Sequence, residues 1–310
     1  MSPKTQVIVN PESDQGRTGK RWKQIKEALK SFLKEFKYEF TEKPFQAVEI
    51  ARDSIKSGFE LIVGVGGDGT INEIANGFYE EKNLINPHSC LGIIPSGTGC
   101  DFTKSLNIPY NLKNSLKLIT QAPSSLIDVG RIHFQDPKGK KKERLFLNIA
   151  DFGIGGEVVQ KINQKRMKHK TSSYLKALFS SYASYKNKNI RISVDDKLIS
   201  SDEYMIGAFS NGRIFGKGMK IAPHAKLNDG LLDIVLVKGM KFMEFLMNSW
   251  KIYTGSHLSH PKVNFIRGKK IEVVPAKEDS VLMEMDGEQI GALPATIEIV
   301  PQSLLVKGNI

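Results

Sequence analysis

A glycine-rich turn between an apolar run and a helical pattern is the part of the sequence best suited to chemistry. Residues 61–65 are apolar, and residues 66–70 read Gly-Gly-Asp-Gly-Thr. Glycines let backbone N–H groups converge on a phosphate without obstruction by Cβ atoms, and a helix start adds the positive end of its dipole. The segment therefore predicts a phosphate-binding loop, which we favour over a tight strand-to-helix turn.

Three other motifs have to be distinguished from this loop. Gly64, Gly66 and Gly69 satisfy the dinucleotide pattern G-x-G-x-x-G, but the next predicted strand ends in Pro-Ser at 95–96 instead of the acidic residue that binds ribose. A Walker A sequence is absent from the chain. Asp-Phe-Gly at 151–153 has no preceding His-Arg-Asp catalytic loop, so we interpret it as chance.

A second glycine-rich turn ends the next predicted strand. Residues 91–95 are apolar, and residues 95–102 read Pro-Ser-Gly-Thr-Gly-Cys-Asp-Phe. Open α/β sheets bind ligands at the carboxyl ends of their strands, so two such turns on neighbouring strands form a crevice. Together the turns predict a pocket for a polyphosphate.

Specific side chains in these turns have matching chemistry. Asp68 offers the carboxylate that a hard cation such as the Mg²⁺ of a nucleotide prefers. It could equally cap the following helix, and the two roles can coexist. The hydroxyls of Thr70 and Thr98 could donate to phosphate or ribose oxygens.

The order of elements indicates two domains. Apolar strand-like runs alternate with helical stripes at 22–36, 45–55 and 71–78, which is typical of a parallel α/β sheet. From about residue 130 the pattern is mainly strands, which favours an antiparallel, β-rich domain. We therefore predict an α/β domain over 1–129 and a β-rich domain over 130–310, with the last strands, about 291–310, possible members of the first domain. The strands predicted beyond residue 128 are 129–134, 145–149, 190–194, 204–210, 231–237, 263–266, 270–274, 281–285 and 297–300. The two helices predicted there are 156–187 and 241–253.

Composition excludes several classes of protein. The chain has 310 residues and a net charge of +12, with 40% hydrophobic and 25% charged residues, which is typical of a globular protein. Two cysteines, Cys90 and Cys100, exclude a disulfide scaffold and a Cys-rich zinc site. No apolar run approaches 18 residues, and the first residues lack the core of a signal peptide, so a cytoplasmic location is expected.

The positive charge is concentrated in one region. Residues 131–191 contain 15 Lys and Arg against 4 Asp and Glu, a net charge of +11. Solvated surface explains such clusters, and so does a patch that faces an anionic membrane. No recognition motif favours nucleic acid. The clusters comprise Lys138, Lys140, Lys141, Lys142 and Arg144, and then Lys161, Lys165, Arg166, Lys168 and Lys170.

Six motifs in order resemble the diacylglycerol kinase catalytic-domain family, which includes bacterial lipid kinases and the sphingosine and ceramide kinases. The resemblance covers essentially the whole chain. The motifs are Asn-Pro at 10–11 with Gly16 and Gly19, Thr-Glu-Lys-Pro at 41–44, Gly-Gly-Asp-Gly-Thr at 66–70, the block 91–106, the segment 215–233, and Asp-Gly-Glu at 286–288.

The resemblance implies a fold and an activity. The fold would be a Rossmann-like α/β domain of the phosphofructokinase and NAD-kinase type, an antiparallel β sandwich, and a nucleotide cleft at their interface. The activity would be ATP- and Mg²⁺-dependent phosphorylation of a membrane lipid such as diacylglycerol, in phospholipid metabolism. Two alternatives stay open: a soluble-substrate kinase related to NAD kinase, and a catalytically silent lipid-binding module.

The resemblance also implies roles for individual residues. Glu288 would be the general base, with Asp68 and Asp286 as further catalytic residues. The Lys226 and Leu231 carbonyls and the Asp229 carboxylate would bind a structural Mg²⁺. The nucleotide would contact Asn10, Thr41, Gly66, Gly67, Asp68, Gly69, Thr70, Ile71, Asn72, Glu73 and Thr98.

Simpler interpretations accompany these roles. Asp-Gly at 286–287 could be a type I′ hairpin followed by an exposed Glu288, and 228–230 could be an ordinary turn. The family usually has Asn at the position of Cys100, and a thiol is a poor substitute for an amide in hydrogen bonding.

The expected partners are ATP, a lipid alcohol and an anionic membrane that contacts the basic region 131–191. Apolar residues in the helix after the second basic cluster could line an acyl groove, although such residues more often belong to the core. The sequence leaves the oligomeric state open, with a homodimer as one alternative. The apolar residues concerned are Tyr174, Leu175, Leu178, Phe179 and Tyr182.

Overall fold

The alternation of apolar runs and helical stripes near the N-terminus produces a parallel sheet in the structure. This computed structural model describes residues 3–136, 138–164, 180–182, 185–216, 218–276 and 280–310. The chain divides into two units. Unit 1 comprises Met1–Asp128 and Pro301–Ile310, and unit 2 comprises Val129–Val300.

Unit 1 is an α/β unit. Its strands up to residue 128 are β1 (Thr5–Val9), β2 (Lys37–Phe40), β3 (Leu61–Gly66), β4 (Tyr79–Glu80), β5 (Asn83–Leu84) and β6 (Cys90–Pro95). Its helices are α1 (Arg17–Phe32), α2 (Gln46–Lys56), α3 (Asp68–Gly77), α4 (Asp101–Ser105) and α5 (Leu112–Gln121). The order β2-β1-β3-β6 is parallel throughout, and Leu305 and Val306 add a further parallel pairing beside β6.

The register of this sheet brings the strand ends to one edge. Val9 pairs with Val65, and Val65 pairs with Ile94, so β1, β3 and β6 end level with one another. The strands are held there because their side chains are buried against α1, through residues such as Ile25 and Leu29. The loops that follow the three strands therefore meet at the carboxyl edge of the sheet.

Unit 2 is rich in antiparallel strands. They are β7 (Ser124–Gln135, which begins in unit 1), β8 (Lys141–Phe146), β9 (Ile149–Gly153), β10 (Lys188–Val194), β11 (Lys197–Ser210), β12 (Leu232–Lys238), β13 (Val263–Gly268), β14 (Lys270–Pro275), β15 (Leu282–Met285) and β16 (Glu288–Lys307, which ends in unit 1). The helices described are α6 (Ile154–Gln164), α7 (Phe242–Asn248) and α8 (Lys251–Thr254), and a 3₁₀ helix covers Ser256–Ser259.

The pairing of these strands encloses an apolar core. The order β13-β12-β11-β10-β14-β16 is antiparallel, while β9 pairs with β11 and β15, and β15 pairs with β16. Alternate side chains of these strands, such as Phe152, Tyr204 and Met283, are buried in one cluster. The predicted combination of a parallel α/β unit and a β-rich unit is confirmed.

Several elements differ from the sequence-based expectation. The predicted strand 145–149 is divided into the end of β8 and the start of β9, and the predicted helix 241–253 is divided into α7 and α8. The predicted helix 156–187 is α6 up to Gln164, while 165–179 and 183–184 lie outside the described residues. The pattern missed β2, because its residues carry no buried side chain that would give an apolar signal.

Among the described residues, none of the helices has both the length and the apolar character needed to span a membrane.

Candidate active site

The loop between β3 and α3 has the geometry of an anion-binding turn. Gly67 precedes the first residue of α3 and supplies no side chain that could cap the helix. A Cβ atom on Gly66 would lie 2.6 Å from the Cβ of Thr70, so only glycine fits there without displacement. The N-terminal N–H groups of a helix have no partner within the helix and attract an anion.

The second glycine-rich turn lies directly against the first. A Cβ atom on Gly97 would lie 2.4 Å from the Cα of Gly67, which is closer than atoms can approach. The Ser96 N–H also donates to the Gly66 carbonyl at 2.8 Å. The two turns, which were predicted to end neighbouring strands, therefore pack with their backbones in direct contact.

Asp68 is the first residue of α3 and does not cap that helix. Its carboxylate instead accepts hydrogen bonds from the backbone N–H groups of Asp101, at 3.0 Å, and Phe102, at 3.2 Å. These two groups belong to the start of α4, so Asp68 connects the two glycine-rich turns. Asp68 is half-buried, so its carboxylate is not sealed from solvent.

Residues after β1 complete this edge of unit 1. The Asn10 amide donates to the Thr70 hydroxyl oxygen at 2.9 Å, and the Thr98 hydroxyl donates to Asp14 at 3.4 Å. The Thr41 N–H donates to the Val9 carbonyl at 2.9 Å, which extends β2 along the end of β1. The structure thus brings the predicted residues Asn10, Thr70 and Thr98 to a common edge with Asp68.

Three predicted contact residues lie deeper in α3. The Ile71 N–H donates to the Gly67 carbonyl at 3.1 Å and is therefore engaged within the helix. Asn72 and Glu73 follow inside α3, past its first turn. Ile71 is 1% and Asn72 2% exposed, so their side chains pack inward. The amides suited to a phosphate are those of Gly66 to Thr70.

Cys100 occupies a backbone conformation that Asn commonly adopts. Its φ of 50° and ψ of 46° are left-handed, where Asn and Gly are favoured over other residues. Burial, and then the nearby charge of Asp68, raises the pKa of the Cys100 thiol to about 12. The side chain is therefore a neutral thiol packed beneath Gly97, and makes no cap to α4.

In unit 2 the predicted catalytic carboxylates surround a tight turn. Asp286 and Gly287 have φ values of 48° and 88°, as a type I′ hairpin requires. The Asp286 carboxylate accepts hydrogen bonds from the N–H groups of Leu147, Asn148 and Ile149, at 2.9, 3.1 and 3.0 Å. This capture of three amides explains the break between β8 and β9, and it assigns Asp286 to holding the turn in place.

Glu288 is the first residue after that turn. The Arg144 guanidinium donates to its carboxylate at 2.9 Å, and the Glu288 side chain is 35% exposed. Arg144 was predicted as part of a basic cluster, but here it fixes the orientation of a carboxylate. Sequence reasoning missed this partner, because the pairing of Arg144 with Glu288 depends on tertiary structure.

A second pair of carboxyl groups is buried nearby. Asp151 on β9 lies opposite Glu284 on β15, and their side chains are 0% and 6% exposed. Burial raises the pKa of Asp151 to about 7. Burial and the neighbouring Asp151 raise the pKa of Glu284 well above its ordinary value. Sequence patterns do not indicate this pair, since the two residues are far apart in the chain.

The predicted structural metal site lies in the loop before β12. The Asp229 carboxylate accepts a hydrogen bond from the Leu231 N–H at 3.2 Å and forms an ion pair with Arg267. Arg267 also donates to Asp233 at 2.7 Å. The positive charge beside Asp229 is therefore supplied by an arginine, and among the described residues no cluster of three or more His, Cys, Asp or Glu could hold a metal ion.

An apolar cavity of about 330 Å³ lies in unit 2. Its lining includes Met205 on β11, and Phe215 and Met219 in the loop after it. Phe245 on α7 and Ile252 on α8 line it from another side. The sequence allowed an acyl groove in another helix, at Tyr174, Leu175, Leu178, Phe179 and Tyr182, but favoured a core role for these residues. Of those five residues only Tyr182 is described, and its ring stacks on Phe245 with 4.6 Å between the centroids.

Two family profiles match the chain. The diacylglycerol kinase catalytic domain matches residues 4–132. The YegS C-terminal NAD kinase beta sandwich-like domain matches residues 148–308, which is more than half of the chain.

Curated relatives carry the same family name. A diacylglycerol kinase of Staphylococcus saprophyticus is 28% identical over 278 residues, which cover 86% of this chain and 82% of the relative. A diacylglycerol kinase of Staphylococcus aureus is also 28% identical, over 82% of this chain and 76% of the relative.

Solved structures resemble the chain over nearly its full length. A Bacillus anthracis protein, provisionally assigned as a diacylglycerol kinase, is 25% identical with a TM-score of 0.75, covering 99% of this chain and 98% of that one. An NAD kinase from Archaeoglobus fulgidus, solved with ATP, has a TM-score of 0.53 at 18% identity, covering 98% and 94%. The latter likeness concerns the fold alone.

Proposed function

Because the chain belongs to the diacylglycerol kinase family of lipid kinases, we propose that it transfers the γ-phosphoryl group of ATP to a hydroxyl of a membrane lipid such as diacylglycerol. The observation that carries this proposal is the contact between the two glycine-rich turns, which Asp68 links through the N–H groups of Asp101 and Phe102. Such a turn pair suits a polyphosphate.

Unit 1 would bind the nucleotide. The amides of Gly66 to Thr70 at the uncapped start of α3 would receive the phosphates, and the glycines let them approach the backbone. Thr98 is exposed, and its hydroxyl, which donates to Asp14 in the structure, would turn to donate to the nucleotide. Asn10 would act by holding Thr70, to which it donates a hydrogen bond.

The Asp68 carboxylate is suited to coordinate the Mg²⁺ that accompanies ATP. Its carboxylate is oriented by the N–H groups of Asp101 and Phe102 and is half-buried, and carboxylate oxygens are the ligands that a hard cation prefers. When bound, Mg²⁺ would neutralise charge that develops on the phosphate oxygens. The fixed carboxylate positions the cation without reorganisation.

The transfer step needs a group that accepts a proton. The lipid hydroxyl oxygen would attack the γ-phosphorus, and the bond from that phosphorus to the β,γ-bridging oxygen would break, which releases ADP. Glu288 would take the hydroxyl proton while Arg144 orients its carboxylate. Asp286 would act as a positioning residue, since its carboxylate accepts three backbone N–H groups next to Glu288.

Unit 2 would also accommodate the lipid. The apolar cavity behind α7 and α8 is chemically suited to an acyl chain, because its lining includes Met205, Phe215 and Ile252. The basic residues of 131–191, among them the exposed Lys138, Lys140 and Lys142, would add attraction to an anionic membrane. Lys165, Arg166, Lys168 and Lys170 of that region lie outside the described residues.

The structural Mg²⁺ implied by the family fits the loop at 226–231 less well than the Mg²⁺ of ATP fits Asp68. Asp229 is already neutralised by Arg267, so a cation at Lys226, Asp229 and Leu231 would have to displace that ion pair. We therefore infer that Arg267 balances the charge of Asp229 in this loop.

Transfer of radioactive label tests the proposed function. The purified chain is incubated with γ-labelled ATP, Mg²⁺ and vesicles that contain diacylglycerol, and label in the organic phase is counted. We expect Mg²⁺-dependent incorporation into lipid. Label that enters only a soluble acceptor such as NAD would favour the soluble-substrate alternative, and no label in either would favour a silent lipid-binding module.

A further inference from the structure

Helix α7 presents an exposed apolar surface. Its sequence is Phe-Met-Glu-Phe-Leu-Met-Asn, yet none of these seven residues, all of them described, is buried. Met243 is 60%, Leu246 40% and Met247 69% exposed, and Trp250, which joins α7 to α8, is 58% exposed. Contiguous exposed apolar patches on a soluble protein usually mark an interaction site.

The segment has an exposed apolar face and a face that lines the cavity. Exposed residues recur at 243, 246, 247 and 250, the spacing of one helix face. Residues 245 and 248–253 line the 330 Å³ cavity, and Phe245, Trp250 and Ile252 are the large apolar side chains among them besides Tyr253. The same two short helices therefore separate this cavity from the surroundings and turn apolar side chains to both sides.

Lysines flank this exposed face along the chain. Lys241 and Lys251 lie within the segment, and Lys262 follows it. The one acidic residue between 241 and 254 is Glu244, which is neutralised by Lys262 at 2.7 Å. Burial of apolar side chains between flanking lysines, with Trp and Tyr at the boundary, is the pattern of helices that lie in a membrane interface.

These observations favour a bilayer over a protein partner. An acyl chain has to reach an apolar cavity whose wall is α7 and α8, and this wall is apolar on its outer side as well. The net positive charge around it is complementary to anionic headgroups. A protein partner on the same face would cover the wall through which the chain would pass.

We propose that the exposed face of α7 and α8, residues 242–253, is the surface that docks on an anionic bilayer and admits an acyl chain to the cavity behind it. The docking surface thereby comprises two consecutive short helices of unit 2, joined by Ser249 and Trp250, and lies outside the basic region 131–191. The inference rests on the proposed function for the identity of the acyl chain, whereas docking can be measured without ATP.

Vesicle sedimentation tests the docking. The full chain is compared with a Met243→Gln/Met247→Gln variant, which keeps side-chain length and helix propensity but removes apolar character. Neither methionine lines the cavity. The vesicles contain phosphatidylcholine with a quarter phosphatidylglycerol, and thermal melting verifies that each variant is folded.

A matched control is available in the same unit. Leu198 and Ile199 are 62% and 43% exposed at the start of β11. The Leu198→Gln/Ile199→Thr variant removes a comparable apolar surface away from α7. We expect about tenfold or greater weakening of vesicle binding for the methionine variant, and wild-type binding for the control.

Activity separates docking from chemistry. The methionine variant should lose activity toward long-chain diacylglycerol in vesicles and retain it toward dispersed dioctanoylglycerol. Wild-type vesicle binding by the methionine variant would overturn the proposal. The proposal would also be overturned if the wild type is a dimer, the methionine variant is a monomer, and the two bind vesicles equally. The exposed face would then bind a second copy of the chain. If the wild type phosphorylates no lipid, the proposed function fails, and the binding comparison still decides the docking.

Discussion

Glu288 and Glu298 offer a matched test of the assigned general base. Both carboxylates lie on β16, both are about one-third exposed, at 35% and 34%, and each pairs with an arginine, Arg144 at 2.9 Å and Arg131 at 3.4 Å. Glu288 alone follows the Asp-Gly turn. Because the two carboxylates have similar surroundings, a difference between the effects of their substitutions can be attributed to their positions.

We expect Glu288→Gln to lower kcat by roughly 10²–10⁴-fold because a neutral amide cannot accept the hydroxyl proton. The KM for ATP should change little, since the proposed nucleotide site lies in unit 1. Steady-state kinetics of Glu288→Gln and Glu298→Gln measures both effects. Equal losses in the two variants would contradict the assignment of Glu288 as the base.

The buried pair of Asp151 and Glu284 makes stability depend on pH. Burial raises the pKa of Asp151 to about 7 in the folded chain, while the unfolded group titrates near 4. The folded state therefore holds its proton where the unfolded state has lost it. Stability from this source is fully present below about pH 4 and declines as the pH rises toward about 7.

Asp151→Asn should accordingly flatten the pH dependence of stability. The free energy of unfolding of the wild type should fall between about pH 5 and about pH 8, and the variant should fall less, by about 1 kcal/mol or more. Urea unfolding at both pH values measures this difference, with the exposed Asp53→Asn in α2 as the control. An identical decline in the wild type and Asp151→Asn would argue against the raised pKa.

Among the elements, the two glycine-rich turns depend on a close approach of backbones. A methyl group at Gly97 would meet the Cα of Gly67 at 2.4 Å, whereas one at Gly99 would meet Asp68 Oδ2 at an ordinary 3.4 Å. Gly97→Ala should separate the turns, weaken ATP binding by at least about tenfold and cost about 1–3 kcal/mol of stability.

Gly99→Ala provides the control in the same turn. Titration calorimetry with ATP and chemical unfolding should distinguish the two alanine variants, with Gly99→Ala close to wild type. If Gly97→Ala binds ATP as tightly as the wild type, the contact between the turns does not form the phosphate site.

Strands and helices that have an apolar pattern in their own sequence could be predicted. Features that depend on contacts with distant parts of the chain could not. The runs ending at Val9, Gly66 and Pro95 are buried strands, as their sequence indicates. The break between β8 and β9 is caused by Asp286, some 137 to 139 residues away in the chain, which captures three amides. No pattern within 145–149 could reveal that partner.

At the scale of the whole molecule, the order of motifs predicted the family, and the order of elements predicted an α/β unit and a β-rich unit. Chemistry at the candidate site was only partly predictable. The phosphate turn follows from glycine spacing, because the need for close backbone approach is local. The partners of Asp68 and Glu288, namely the start of α4 and Arg144, depend on how distant segments pack. The apolar wall of α7 and α8 has a helical sequence pattern, but its exposure is a property of the folded unit.

The central claim is that Asp68 enables unit 1 to present a nucleotide for transfer to lipid. Its most direct test is the rate of label transfer from γ-labelled ATP to vesicle diacylglycerol, for the wild type and Asp68→Asn at saturating Mg²⁺. We expect Mg²⁺-dependent transfer by the wild type and a loss of at least about 10²-fold in the variant, because the charge that holds the cation is removed. Transfer by Asp68→Asn at the wild-type rate would contradict the claim.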